Sequence, residues 1–171
     1  MRFSCTAAVI LAVVLVTAPL QSSDRAECPE VVRDLTLVDI EGNPARISCA
    51  SYRVLIVNFW ATWCAPCRVE IADLNDIYRT FRSRGVEVIG ISLDALQPQR
   101  LKPFVEQLRI AYPVFLGRPE ELQSRLAVIA IPATLVIDGS GKIHRKFVGY
   151  HSRDEILAVI YELLGKGRET D

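Results

Sequence analysis

Val54-Leu55-Ile56-Val57-Asn58-Phe59-Trp60-Ala61-Thr62-Trp63-Cys64-Ala65-Pro66-Cys67 is the stretch on which the reading of this chain turns. Its first seven residues are a near-continuous apolar run of strand length, the pattern of a strand buried on both faces. It closes on two cysteines separated by two residues. Beyond them Leu74, Ile77, Tyr78 and Phe81 fall at i, i+3, i+4 and i+7, which predicts a helix over 67–84 ended by Gly85. A cysteine pair between a strand and a helix is the pattern of a dithiol–disulfide couple. Cys64 then stands at a helix N-terminus, where peptide N–H groups and the helix dipole favour its thiolate. A lowered pKa makes a thiol both a ready nucleophile and a good leaving group near neutral pH.

Other uses of this spacing fit less well. Covalent haem attachment requires His directly after the second cysteine, and Arg68 is there. Structural zinc requires four ligands, whereas His144 and His151 are isolated in sequence and read as surface or strand-edge residues. A copper carrier needs a different spacing and a third soft or imidazole ligand. A purely structural disulfide does not account for Trp63 before Cys64 and Pro66 before Cys67, which indicate a shaped, partly exposed turn. No cofactor and no metal site is expected.

The chain has 171 residues, half of them apolar, room for one domain plus a leader. Twenty basic and twenty acidic residues cancel, and no run of like charge offers a nucleic-acid footprint. At the N-terminus, Met1-Arg2 precedes an apolar run from Phe3 to Ala18, then Pro19 and the polar Gln21 to Arg25. This is a signal-peptide layout, close also to the length of a spanning helix. Residues 1–23 are thus a cleaved signal peptide or an uncleaved membrane anchor, and either places the domain outside the cytoplasm. Of five cysteines, Cys5 lies in that segment and four remain. In an oxidising compartment Cys28 and Cys49 can pair, closing a loop of about 20 residues for roughly 3 kcal/mol in the chain-entropy account.

Residues 24–33 read as a linker arm, 34–165 as the folded domain and 166–171 as a polar tail. Within the domain, Asp34 to Ile40 and Pro44 to Ile47 form a hairpin across Glu41-Gly42-Asn43. Strands follow at Val54 to Trp60, Val86 to Leu93 and Tyr112 to Leu116. Leu101, Phe104, Val105 and Leu108 mark a second amphipathic helix, and Glu120 to Leu126 a short one. Ala133 to Asp138 and Ile143 to Val148 are strands joined at Gly139-Ser140-Gly141. Ser152 and Glu155 form a capping box that opens a last helix with Ile156, Val159, Ile160 and Leu163 on one face. Strands alternating with helices, then a late hairpin, give an α/β fold whose mixed central sheet is flanked by helices.

With these residues in place, the chain resembles the TlpA/ResA-like group of extracytoplasmic thiol–disulfide oxidoreductases with a thioredoxin-like fold. The resemblance covers roughly residues 34–164. It rests on Asn58 through Glu70, on Ile131-Pro132-Ala133-Thr134, on the central insertion over 97–126 and on the leader. It implies that Pro132 is the cis-proline facing the redox pair. It also implies that Trp63, Ala65, Pro66, Ile131 and Pro132 contact substrate, and that Glu70 is the acidic residue three positions after the second cysteine. Asn58 stands where ordinary thioredoxins keep a buried aspartate. Ala133 stands where the cytochrome c maturation branch carries an acidic residue, a departure from that branch.

Mechanistically, Cys64 is expected to attack and Cys67, one turn in, to resolve the mixed disulfide. Glu70, Leu74, Ile77 and Phe81 continue one stripe from Cys67, so Glu70 falls on the buried face. A desolvated carboxyl has a raised pKa and is placed to exchange a proton with the Cys67 thiol. The alternative is a carboxylate tilted outward, pairing with Arg68 or the helix dipole.

The function expected is reduction of protein disulfides, in a monomer recycled by a membrane dithiol carrier. The membrane is touched only through an uncleaved leader. Two other classes remain: a peroxiredoxin-like peroxide reductase, and a non-enzymatic thioredoxin-fold metal carrier. Peroxide reduction needs a threonine and a proline arranged around a single peroxidatic cysteine, whereas Thr62 lies only two residues before Cys64 and lacks the preceding proline.

Overall fold

The fold is described from a computed structural model that covers residues 30–47, 52–95 and 97–166. The expected leader, Cys28, Cys49 and residues 167–171 lie outside the described residues. In chain order the elements are α1 (Glu30–Arg33), β1 (Leu37–Asp39), β2 (Pro44–Ala45), β3 (Val54–Trp60), α2 (Ala65–Phe81), β4 (Val86–Ser92), α3 (Pro98–Gln107), β5 (Val114–Leu116), α4 (Pro119–Leu126), β6 (Ala133–Asp138), β7 (Ile143–Val148) and α5 (Arg153–Lys166). The strands make one sheet in the order β2-β1-β5-β4-β3-β6-β7. β3, β4 and β5 run parallel, and β1, β2, β6 and β7 add antiparallel pairs on either side.

β3 is the axis of the molecule, every residue buried. Its pleat divides the run between the two faces of the sheet. Leu55, Val57 and Phe59 join a core with Ile89, Ile91, Leu122, Leu135 and Ile137. Val54 and Ile56 join Leu74, Ile77, Phe81, Ile156 and Ile160, the inward stripes of α2 and α5. Trp60 turns into a third cluster with Cys64, Cys67, Ile71 and Leu101, directly beneath the cysteine turn. Gly90 on β4 makes this possible: a Cβ there would stand 3.1 Å from Trp60 Nε1 and 3.1 Å from Tyr112 Cε2.

Several boundaries differ from those read in the sequence. α2 begins two residues earlier, at Ala65, because Pro66 fits the first helical turn, where no intrahelical N–H bond is lost. It ends at Phe81, and a 3₁₀ turn over Arg82–Arg84 leads to Gly85 at φ 82°, the left-handed position glycine occupies without strain. The N-terminal hairpin is shorter than expected. The Asp39 carboxylate takes the N–H groups of Glu41 and Asn43, and the Thr36 N–H goes to Glu121, which withdraws these residues from the ladder. In α3 only Leu101 of the expected stripe is buried, and Phe104 is exposed. Part of the expected arm packs on the domain, for Val32 is fully buried. β6 and β7 stand as read, and the capping box is made: the Ser152 N–H donates to Glu155 Oε2 at 2.8 Å.

Candidate functional site

The redox pair sits where β3 hands over to α2. Ala61 to Cys64 is a turn closed by the Cys64 N–H donating to the Ala61 carbonyl at 3.1 Å. Cys64 is the N-cap of α2 and its Sγ accepts the Cys67 N–H at 3.3 Å. A disulfide joins Cys64 to Cys67, with their Cα atoms 5.3 Å apart. Cys67 is fully buried and Cys64 nearly so. Placement at a helix N-terminus favours an anion on Cys64, as the local sequence predicts.

Around the pair the surface is apolar. Trp63 is 69% exposed, so it is no part of the core, and Ala65 and Pro66 are exposed beside it. Ile131 is half-buried and packs against the cluster that holds Cys64 and Cys67. The Ile131–Pro132 peptide bond is cis, Pro132 is buried, and its carbonyl accepts the Gly149 N–H at 2.8 Å.

Glu70 lies one turn beyond Cys67 on the same helix face, with no exposure to solvent. Among the described residues it makes no ion pair with Arg68. Instead its Oε2 accepts Asn58 Nδ2 at 2.6 Å and the Thr134 hydroxyl at 3.1 Å, and its Oε1 accepts the His151 N–H at 3.4 Å. Asn58 also donates to Thr134 Oγ1 at 3.0 Å. The result is a closed triangle of carboxyl, amide and hydroxyl between α2, β3 and β6. Burial pushes the Glu70 carboxyl above the ordinary carboxylate range; the bonds from Thr134, His151 and Asn58 and the His151 charge only partly oppose it. Three buried polar atoms nearby have no partner among the described residues: Asn58 Oδ1, Trp60 Nε1 and the Tyr112 hydroxyl. Burial, with a smaller contribution from the Glu70 charge, holds the Tyr112 hydroxyl well above its usual range.

Sequence reasoning missed three residues here. Thr134 stands on β6 in register with Asn58, a pairing no local pattern reveals. His151, by sequence a surface or strand-edge residue, leans its ring on Phe147 and pairs with Glu155, but its backbone N–H reaches Glu70. Asp94, just after β4, is buried and receives the Thr62 N–H and hydroxyl. The only signal for it was an acidic residue at the end of a buried strand. No group of metal-ligating side chains occurs among the described residues.

Comparison with known proteins agrees with this chemistry. The AhpC/TSA family profile matches residues 29–146. The thiol-disulfide oxidoreductase ResA of Geobacillus thermodenitrificans is 27% identical over 124 residues, covering 72% of this chain and 70% of that protein. A thiol:disulfide interchange protein of the thioredoxin family from Chlorobium tepidum is 32% identical, with a TM-score of 0.63 over 74% of this chain and 90% of the other. A putative interchange protein DsbE from the same organism, 24% identical, shares the fold at a TM-score of 0.69 over 84% and 99%. The chain belongs to the AhpC/TSA family and, within it, to the TlpA/ResA-like thiol–disulfide oxidoreductases with a thioredoxin-like fold.

Proposed function

We propose that this oxidoreductase reduces protein disulfides outside the cytoplasm, with Cys64 as the attacking thiol, Cys67 as the resolving thiol and Glu70 as the group that holds the Cys67 proton. The observation that carries the reading is Glu70. It is a carboxyl without solvent contact, one helical turn from the buried cysteine, held among the described residues by an amide, a hydroxyl and a peptide N–H.

The Cys64 thiolate attacks a substrate disulfide, forming a mixed disulfide and releasing one substrate thiolate. Cys67 gives its proton to the Glu70 carboxylate and attacks Cys64 Sγ. The second substrate thiolate leaves, and the Cys64–Cys67 disulfide remains. A dithiol donor then returns two electrons, and Glu70 returns the proton to Cys67. Burial raises the Glu70 pKa toward that of the thiol it serves, which makes the transfer efficient in both directions. A carboxylate beneath Cys67 also opposes thiolate formation. That stabilises the disulfide relative to the ionised dithiol and makes the reduced protein the stronger reductant.

Trp63, Ala65 and Pro66 on one side and Ile131 and Pro132 on the other form the substrate contact. The donor is a membrane dithiol carrier, reached because the segment from Phe3 to Ala18 exports the domain or tethers it to the membrane. The protein acts as a monomer. The peroxide-reductase reading is disfavoured by one contact: the Thr62 hydroxyl is donated to Asp94 Oδ1 at 2.7 Å and is not available to a peroxidatic sulfur.

The test is the reduction potential of the Cys64–Cys67 pair, measured on the full chain equilibrated in glutathione buffers. A value near or below about −250 mV supports a reductase, and one near about −120 mV makes the protein a disulfide donor and overturns the direction proposed.

A further inference from the structure

The turn that presents Cys64 is closed by a single backbone hydrogen bond, from the Cys64 N–H to the Ala61 carbonyl. A second set of bonds holds it from outside. Asp94 Oδ2 accepts the Thr62 N–H at 2.9 Å, and Oδ1 accepts the Thr62 hydroxyl at 2.7 Å. Oδ2 also accepts the Ser92 hydroxyl at 2.7 Å, while the Asp94 N–H donates to Ser92 Oγ at 3.1 Å. Three donors therefore converge on one carboxylate that is only 6% exposed.

The platform beneath is rigid. The Leu93 N–H donates to the Trp60 carbonyl at 2.8 Å, and the Gly117 N–H donates to the Ser92 carbonyl at 3.0 Å. Asp94 is thus fixed to β3 and β5 on either side of its own strand. Thr62 is the second residue of the turn and Trp63 the third. Fixing Thr62 by both its backbone and its side chain sets the direction in which the exposed indole and the sulfur leave the surface.

We propose that Asp94 is a positioning residue of the redox turn: it clamps Thr62, and through Thr62 orients Trp63 and Cys64, while its fixed negative charge sets how readily Cys64 ionises. The inference rests on Cys64 being the attacking thiol. Arg68 and Glu70 on α2 are the other charged or titratable side chains that share the turn and first helical turns with Cys64 and Cys67.

Asp94→Asn isolates the charge. The amide is isosteric, its oxygen keeps the Thr62 N–H and Ser92 hydroxyl, and the Thr62 hydroxyl rotates to accept from its NH₂ group. The measurement is the pH profile of alkylation of the reduced full-length protein, with the modified cysteine mapped by mass. In Asp94→Asn the thiolate-to-thiol ratio of Cys64 at a given pH is expected to rise roughly threefold to tenfold. The equilibrium with glutathione moves by a similar factor, about 15 to 30 mV toward the oxidising side. A purely structural Asp94 moves neither.

Thr62→Val and Ser92→Ala keep the charge and each remove one donor. Their alkylation midpoints are expected to stay in place while exchange with a protein disulfide slows about threefold to tenfold. Cys64 modified with an unmoved midpoint in Asp94→Asn overturns the charge assignment. Unslowed exchange in Thr62→Val and Ser92→Ala overturns the clamp, and does so even where Asp94→Asn does not fold. Modification of Cys67 before Cys64 in the native protein is a different result, overturning the order of attack instead.

Discussion

Two carboxyl groups lie buried under one redox turn, and they are held in opposite ways. Asp94, after β4, receives two hydroxyls and a peptide N–H on its two oxygens, an arrangement that satisfies a full negative charge. Glu70, on α2, is more deeply buried and has weaker company: an amide it shares with Thr134, the Thr134 hydroxyl and a peptide N–H at 3.4 Å. The difference teaches that burial alone does not assign a role. A carboxylate that takes two hydroxyls and a peptide N–H is an anchor, because without it those donors lose their acceptor. Glu70 accepts as many bonds but has a raised pKa, because burial outweighs them, and in the role proposed for it that carboxyl gains and loses a proton.

The sharpest way to break this contrast is Glu70→Gln, which keeps the size and, through its amide oxygen, the bonds from Asn58 and Thr134, gives up the long bond from the His151 N–H, and cannot take up or release a proton. Exchange with a protein disulfide is expected to slow by about 100-fold, the lower range for loss of a general acid–base group, with the fold intact by circular dichroism. An unchanged rate and pH profile would make Glu70 as static as Asp94. Asp94→Ala should show the anchor's cost instead. Leaving the Thr62 and Ser92 donors without their acceptor destabilises by about 2 kcal/mol, read from urea unfolding.

Glu70→Gln should act on stability in the other direction, and the sign follows from linkage. The folded pKa of Glu70 is raised, so its ionisation in the fold is penalised as pH climbs above the unfolded value near 4.5. The stability of the native protein relative to the glutamine variant is therefore expected to fall between pH 4 and pH 8, read from urea unfolding at the two pH values. The same difference at both pH values would mean that the charge costs nothing where it sits. The smallest effect tests the triangle. Thr134→Val removes a bond that lowers the Glu70 pKa, so the rate-versus-pH midpoint assigned to Glu70 should move upward.

Much of this was legible in the residues. The run from Val54 to Trp60 reads as a central strand, and the stripe from Cys67 through Glu70 to Phe81 favours an inward carboxyl over one tilted out toward Arg68. Ser152 and Glu155 announced their helix by local spacing. What stayed hidden depended on strand register and on loops brought together from distant sequence. Asn58 and Thr134 are 76 residues apart and meet because β6 returns beside β3. Asp94 meets Thr62 because β4 lies beside β3 and both end at the same level. His151 contributes its backbone, which no side-chain pattern encodes. The N-terminal hairpin was overextended because Asp39 competes for the N–H groups that the ladder needed.

The return of β6 to the side of β3 also imposes an order in time. Cys64 and Cys67 are both made before Thr134 and His151 exist, so a chain emerging in sequence carries its reactive pair well ahead of the groups that surround Glu70. Until then Glu70 has neither the hydroxyl nor the peptide N–H that hold it, and Ile131 is not yet packed against the cluster of the two cysteines. The two cysteines thus spend the first part of their lives without those neighbours. The surround of Glu70 is complete only when the C-terminal third of the chain closes the sheet, and a chain cut short before that point would carry the sulfurs without it.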